Sequence, residues 1–269
     1  CLNTGTGCEL ESFNWLGYTL AVGRNSILNV DVDFSFVGWE ILLSSDATIT
    51  DNATYFTIEN SYLHGCDNMW KGVQVNGGAL VIANYHQQIN IPFDHTTIED
   101  ALTGLQLNDC PSFSIGDAHF YNDYVGVSIP CPNLNDNGNA SIISHCNFSS
   151  NALKPPHTGE QTSIGIKLNT GNSNPLNAFT IGYDPNNNPG VISNTFNNIR
   201  CGINITNSAA NIYSNNFSNI LTAPRTSLLQ LIPAYSGSAI YASSSGINTC
   251  NVTVHTYDGN NILGTIPTF

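Results

Sequence analysis

The chain has 269 residues and a formal charge of -13, and only 9% of it is Asp, Glu, Lys or Arg. Its six cations, Arg24, Lys71, Lys154, Lys167, Arg200 and Arg225, form no basic stripe, which excludes nucleic-acid binding by phosphate neutralisation and disfavours polyanionic glycans and anionic membrane surfaces. No apolar run approaches the roughly 20 residues of a membrane-inserted helix, and the shortage of Lys and Glu argues against exposed helical faces.

Residues 1–25 stand outside any repeat and, with Cys1, Cys8, Phe13, Trp15 and Tyr18, are predicted to form an N-terminal cap. No stretch reads as a secretion leader, so the chain is expected to begin at a processed end. Residues 26–60 read as strands in a looser register: Ile27 to Phe36, then Ile41 to Leu43, then Ala47 to Ile49.

From about residue 55 to 250 an internal repeat takes over. An apolar residue is followed five positions later by a large apolar one: Ile58 and Leu63, Phe93 and Ile98, Ile115 and Phe120, Ile143 and Phe148, Val191 and Phe196, Ile212 and Phe217, Val252 and Tyr257. A glycine then opens an alternating aliphatic pair, at Gly72-Val73-Gln74-Val75, Gly104-Leu105-Gln106-Leu107, Gly126-Val127-Ser128-Ile129, Gly165-Ile166-Lys167-Leu168 and Gly202-Ile203-Asn204-Ile205, with Ala239-Ile240-Tyr241-Ala242 as a degenerate copy. The glycine is expected to supply a positive φ at a corner. Asp100, Asn122, Ser150, Asn198 and Asn219, two positions after the large apolar residue, are expected to adopt left-handed backbone and to ladder from turn to turn. Long insertions, around Lys154-Pro155-Pro156-His157 and Ala223-Pro224-Arg225, read as loops thrown out from a turn.

Runs this short with period-two alternation are strands. The shortest period, from Gly104 to Gly126, spans 22 residues and fits three strands and three turns. The predicted fold is therefore all-β: a right-handed parallel β-helix, a solenoid of about 22-residue coils over 26–269 behind the capped N-terminus. Ile98, Phe120, Phe148, Phe196 and Phe217 should stack in one inner column. Residues 251–269 are expected to add a partial coil and an apolar tail. An uncovered end of such a stack exposes strand edges, so end-to-end self-association is an expected partner mode.

Eight dispersed cysteines without a C-x-x-C pair suggest an oxidising compartment rather than a metal site. Cys110 and Cys131, at nearly equivalent places in neighbouring coils, are candidates for one disulfide, and Cys1 with Cys8 for another. Sequons occur at Asn52, Asn139, Asn147, Asn204, Asn216 and Asn251, open to use where the host glycosylates Asn.

Many β-helices act on polysaccharides, so carboxylates are the residues to weigh. Glu99 and Asp100 of one coil would lie near Asp117 and Asp123 of the next, since stacked residues sit about 4.8 Å apart. They are the catalytic candidates for a paired-carboxylate glycosidase; equally, Asp100 and Asp123 are turn residues and Glu99 a solvated edge charge. The same acids could hold Ca²⁺, but no D-x-D-x-D-G loop is present, and no cofactor is otherwise indicated. His64, His95, His119 and His145 are scattered across coils, with Cys146 beside the last, and no orienting third group for a Cys nucleophile is evident. Trp39 and Trp70 either stack on sugars or fill core.

Thr57-Ile58-Glu59-Asn60-Ser61, Cys66-Asp67-Asn68-Met69-Trp70-Lys71-Gly72-Val73-Gln74-Val75, Gly77-Gly78-Ala79-Leu80 and Thr97-Ile98-Glu99-Asp100-Ala101 resemble a group of secreted Bacteroidota proteins with parallel β-helix repeats. The Met-Trp-Lys-Gly element is the most specific part. Members of the group often end in a sorting domain of the type IX secretion pathway, so the resemblance implies export to the cell surface or medium and no particular activity. Together these readings point to an acidic, extracellular structural or adhesive protein, such as a surface stalk, adhesin or filament subunit. The competing reading is a carbohydrate-active enzyme or binding module that takes neutral glycan in a lateral groove.

Overall fold

A computed structural model describes residues 18–83, 92–110, 112–130, 141–171, 179–182, 193–222 and 233–243, and the backbone of 251–255. These residues form 24 strands, each three to six residues long, and no helix. The strands run in triplets, one per coil. Coil 1 is β1 (Thr19–Val22), β2 (Ile27–Val30) and β3 (Phe34–Val37), and coil 2 is β4 (Glu40–Leu43), β5 (Thr48–Asp51) and β6 (Tyr55–Glu59). Coil 3 is β7 (Tyr62–Gly65), β8 (Gly72–Val75) and β9 (Ala79–Ala83), and coil 4 is β10 (Thr96–Glu99), β11 (Thr103–Leu107) and β12 (Ser112–Gly116). Coil 5 is β13 (Ala118–Tyr121), β14 (Val125–Ile129) and β15 (Ile142–Ser144), and coil 6 is β16 (Asn147–Ser149), β17 (Ile164–Leu168) and β18 (Phe179–Ile181). Coil 7 is β19 (Thr195–Ile199), β20 (Cys201–Thr206) and β21 (Ala209–Tyr213), and coil 8 is β22 (Asn216–Ile220), β23 (Ser238–Ser243) and β24 (Asn251–His255).

Every third strand pairs in parallel, giving three sheets of 8 strands each: sheet 1 from β1 to β22, sheet 2 from β2 to β23 and sheet 3 from β3 to β24. The chain is a parallel β-helix. The expected column is present, with Ile98 opposite Phe120, then Phe148, Phe196 and Phe217. The four rings stack face to face, with centroids 4.9, 4.8 and 4.8 Å apart and interplanar angles of 5°, 5° and 13°. Each ring so buried contributes roughly 1.5–3 kcal/mol relative to exposure.

The structure corrects four details of the sequence reading. The first concerns the recurring glycines of sheet 2. Gly72 does have a positive φ, of 111°, but Gly104, Gly126, Gly165 and Gly202 do not. Those four are glycine because the next coil's main chain and the ring column together occupy their side-chain space: an added Cβ would lie 2.8 Å from Gly126 O, 2.7 Å from Asp123 Oδ2 and 3.1 Å from Phe120 at Gly104, 2.6 Å from Gly165 O and 2.8 Å from Phe148 at Gly126, 2.7 Å from Gly202 O and 2.8 Å from Phe196 at Gly165, and 2.4 Å from Ala239 O and 2.5 Å from Phe217 at Gly202.

Second, residues 26–60 are not in a looser register. Thr19 pairs with Glu40 and Phe34 with Phe56, so the first coils are as regular as any and Phe36 with Ile41 is a further copy of the spacing-five pair. β1 lies inside the range expected as cap; residues 1–17 lie outside the described residues. Third, the inner-wall position before Ile98 belongs to Ile82, and the one before Phe196 to Ile181, which pair with Ile115 and Ile143 respectively. Phe93 precedes β10 on an inserted loop, while Val191 and Tyr257 lie outside the described residues. Fourth, Asp100, Asn122, Asn198 and Asn219 are left-handed but Ser150 is not; its hydroxyl instead accepts the Thr162 N–H, where a loop leaves the coil.

The expected turns do bond from coil to coil at the corner between sheets 1 and 2, where Asn122 Oδ1 accepts the Asn151 N–H, Asn198 Nδ2 donates to Ser150 O and Asn219 Nδ2 donates to Asn197 Oδ1; a second ladder, of side chains, runs at the corner between sheets 2 and 3. Asn108 donates to Asn76, Asn76 to Asn52 and Asn52 to Asp31, at 2.9, 3.3 and 2.8 Å. The equivalent of Asn108 in coil 5 is Pro130, next to Ile129, whose side chain has no hydrogen-bonding group to extend it.

Candidate functional site

On sheet 1, side chains that alternate with the buried column face outward. In coils 2–4 they include Glu40, Tyr62, His64 and Glu99, brought together because Glu40 pairs with Tyr62 and His64 with Glu99. The Tyr62 ring stacks on His64 at 4.1 Å and 12°, its hydroxyl donates to Glu99 Oε2, and His64 Nε2 lies 3.4 Å from Glu40 Oε1. Burial raises the Tyr62 phenol above its ordinary range, and the hydrogen bond to Glu99 and the charges of Glu99, Asp100 and Glu40 push the same way. Tyr62 is therefore a fixed donor rather than a base near neutral pH. The Trp70 indole N–H supports the group from below through the Glu99 carbonyl, at 2.8 Å.

A second group sits where sheet 3 turns into sheet 1 in coils 4–6. His95 stacks on His119 at 4.6 Å, and His145 Nδ1 lies against Asp117 Oδ1. Asp117 and His145 are both left-handed corner residues, with φ of 51° and 57°. Burial, then the neighbouring His95 and His145, hold the His119 imidazole below its ordinary proton affinity, against the pull of Asp117.

The corner between sheets 1 and 2 is covered by a strap, residues 151–163, inserted between β16 and β17. The Lys154 ammonium spends its three donors on Asp100 Oδ2, Gly65 O and Cys66 O, at 2.7, 2.8 and 2.8 Å. The Met69 N–H donates to Pro155 O at 2.9 Å, Leu153 is buried, and His157 stacks on Tyr124 at 3.8 Å. Glu160 ties the far side to Arg200 at 2.8 Å. Burial alone would raise the Glu160 carboxyl, but its bonds to Arg200 and His157 prevail and lower it.

These contacts decide the surroundings of the acids singled out in the sequence. Asp100 and Asp123 are only 2% and 1% exposed. Asp100 is held by Lys154, and Asp123 Oδ1 accepts the Ala101 N–H at 2.8 Å. Burial pushes both carboxyls upward, Asp123 the more strongly, with Asp100 and Glu99 adding repulsion. Glu99 is half-buried on the outer face and is no free edge charge, and Asp117 sits apart with the histidines. Of the four, Glu99 thus joins the Glu40, Tyr62 and His64 group on the outer face of sheet 1 and Asp117 the histidine group at the corner. Glu40, Tyr62, His64 and Lys154 were not picked out together by the sequence: the pairing of Tyr62 with Thr97 bridges an inserted loop, which hides their adjacency from a fixed-period search.

Trp39 and Trp70, at 6% and 0% exposure, are core. The Cys146 thiol is buried and pushed up to about 12 by that burial, so His145 and Cys146 make no reactive pair. Cys110 is buried, with its Sγ 3.0 Å from Ser112 O; its proposed mate Cys131, like Cys1 and Cys8, lies outside the described residues. Of the sequons, Asn52 and Asn216 are exposed and Asn147 half-buried, whereas Asn204 is 6% exposed and accepts from Thr206 Oγ1. Asn139 and the side chain of Asn251 lie outside the described residues. Among the described residues no three His, Cys, Asp or Glu side chains converge as a preformed metal cage, and no helix is long and apolar enough to cross a membrane. No family model, curated protein or solved structure matches the chain.

Proposed function

We propose that this chain is an exported structural or adhesive rod, whose working surface is the outer face of sheet 1 and whose ligand is a neutral glycan. The observation that carries this reading is the fate of the buried acids: Asp100 and Asp123 serve as anchors for the strap and for the Ala101 turn, while the outer face of sheet 1 keeps a continuous row of hydrogen-bonding groups. That row runs from Tyr62 through Thr97, His119 and Asn147 to Thr195 and Asn216, in unbroken register. Polar groups repeating about every 4.8 Å on a stiff support suit an extended, repetitive ligand, and little ordering is needed on the protein side when it binds. The acidic charge opposes polyanions.

Glycan-array binding that is weakened by His119→Ala and Tyr62→Phe, with no sugar released, is the expected result. Absence of binding to any neutral glycan, with rods seen by electron microscopy to join end to end at high concentration, would replace the adhesive function by a filament-forming one.

A second reading rests on the Glu40, Tyr62, His64 and Glu99 group, whose two carboxylates flank a phenol and an imidazole as acid–base chemistry requires. Sugar release from a neutral glycan that is lost in Glu99→Gln or Glu40→Gln would establish a glycoside hydrolase in place of an adhesin.

A further inference from the structure

Lys154 reaches from the strap to coil 4 across the corner between sheets 1 and 2, and the carboxylate it meets is sealed. Asp100 is 2% exposed. Its main chain is held on both sides, since its N–H donates to Tyr121 O at 3.2 Å and its carbonyl accepts the Trp70 N–H at 3.1 Å. Its Cβ packs so closely on the end of β7 that a Cβ added at Gly65 would lie 3.0 Å from it. One carboxyl oxygen, Oδ2, meets Lys154 Nζ at 2.7 Å, while the other, Oδ1, is buried with no hydrogen-bond partner. A carboxylate held in this way is costly in its charged form. Burial accordingly raises the Asp100 carboxyl in spite of the lysine beside it, with Glu99 adding repulsion.

The amine is held in a complementary way. Lys154 Nζ donates to Gly65 O and Cys66 O, both at 2.8 Å, and its third contact is Asp100 Oδ2. An ammonium has three N–H donors and no lone pair. Passing the third proton to Asp100 leaves two hydrogens on the two carbonyls and turns the freed lone pair toward the carboxyl. Asp100 Cγ lies one C–O bond, about 1.23 Å, beyond Oδ2. Nitrogen and carbon are therefore roughly 3–4 Å apart, close to the ~3–3.5 Å of a near-attack pair. Asp123 brings no competing charge to the corner, because burial pushes its carboxyl well above the ordinary range and its Oδ1 is tied to the Ala101 N–H.

We propose that Lys154 and Asp100 condense, once the strap has docked, into an intramolecular amide that staples the strap to coil 4. Nζ adds to Cγ, the bond from Cγ to one carboxyl oxygen breaks, and that oxygen leaves as water with one hydrogen from the acid and one from the amine. Nothing is oxidised or reduced, and no co-reactant is consumed. Condensation removes the buried charge, which is the costly part of such a pair, and leaves a neutral carbonyl in place of the unpartnered carboxylate oxygen. Lys154 is 34% exposed on its outer side, which gives the released water an exit. The bond closes the chain from Asp100 to Lys154 and so restricts the unfolded state, as any cross-link does. A rod that carries load thereby gains a strap that cannot peel away. The staple stands on the strap contacts alone and does not require the glycan-binding face.

The test is the intact mass of the whole chain after folding and incubation, reduced and denatured so that disulfides do not contribute. Wild type should be one water lighter than its sequence, and chymotryptic digestion should release a linked pair of peptides, one holding Asp100 and the other Lys154. Lys154→Arg keeps a cation for Asp100, but a guanidinium that stays protonated is no nucleophile. That variant should fold, carry its full sequence mass and melt below wild type. Wild type at its full sequence mass, a water loss that persists in Lys154→Arg, or a water loss located at other residues overturns the proposal.

Discussion

Coils 1–3 and coils 5–8 build one cross-section by different means. In the first coils the chain returns after 21 to 24 residues, as from Thr19 to Glu40 and from Tyr55 to Ala79. Their sheet 1 column is Leu20, Ile41 and Leu63, and their aromatic packing lies on sheet 3, where Phe36 meets Phe56 edge-on at 5.6 Å. In the later coils the return lengthens to as much as 48 residues, from Asn147 to Thr195. Yet there the inner wall is most ordered, with four stacked phenyl rings. The described insertion, residues 151–163, leaves the register of sheet 1 alone because it passes over the outside of a corner. What the later coils require instead is matched volume, a ring on sheet 1 against a missing Cβ on sheet 2.

The largest test of that contrast is Phe148→Ala, expected to cost about 3–5 kcal/mol in urea unfolding, against about 0.5–1.5 for Ile41→Val in the tight coils. Equal costs per carbon removed would show that the ring stack adds nothing special. Next comes the strap, which exists only because of an insertion. Lys154→Met leaves the Asp100 carboxylate buried and unpaired; since the lysine is 34% exposed, the loss should be nearer about 2 kcal/mol than the full value for a buried pair. Limited proteolysis should then cut within 151–163 before any coil.

Gly126→Ala drives a Cβ to 2.6 Å from Gly165 O and 2.8 Å from Phe148, and should cost about 1–3 kcal/mol. Adding Phe148→Leu should return part of that loss, a coupling measurable in a double-mutant cycle. Gly23→Ala in coil 1, with Ser26 Oγ at 3.5 Å as its sole near neighbour, should cost little.

The smallest effect is one of pH. Asp123 has a folded-state pKa raised by burial, so its contribution to stability is complete below the ordinary Asp range near ~4 and is lost as pH rises through the folded value, at up to about 1.4 kcal/mol per unit. Asp123→Asn keeps the acceptor for Ala101 and should flatten that fall. A variant whose urea midpoint tracks wild type at every pH would mean that Asp123 stays ionised in the fold.

Much of this architecture was legible because its signals are local. Ile115 with Phe120 and Ile143 with Phe148 announce a sheet 3 to sheet 1 corner by spacing alone. Coils 1 and 2 were misread because Ile27 and Thr48 stand where later coils have glycine, so the Gly-led signature is absent there. The insertion before Ile98 moved the spacing-five partner from Ile82 to Phe93 on paper, since a loop residue of the right kind stood at the right distance. The acids were found individually, but their partners were not. Asp100 waits for a lysine on a strap two coils further along, and Tyr62 reaches a carboxylate 37 residues away.

The sequence by itself determined the strand period, the inner phenylalanine column and the left-handed corners at Asp100, Asn122, Asn198 and Asn219, because each depends on residues within one coil or on an exact repeat between coils. Only the tertiary structure decided why the sheet 2 glycines are glycine, which acids are sealed and which exposed, and that Tyr62 meets Glu99 and Lys154 meets Asp100. Those facts depend on which coils become neighbours after insertions of unequal length, and on the volume left between them, neither of which is written in the spacing of residues along the chain.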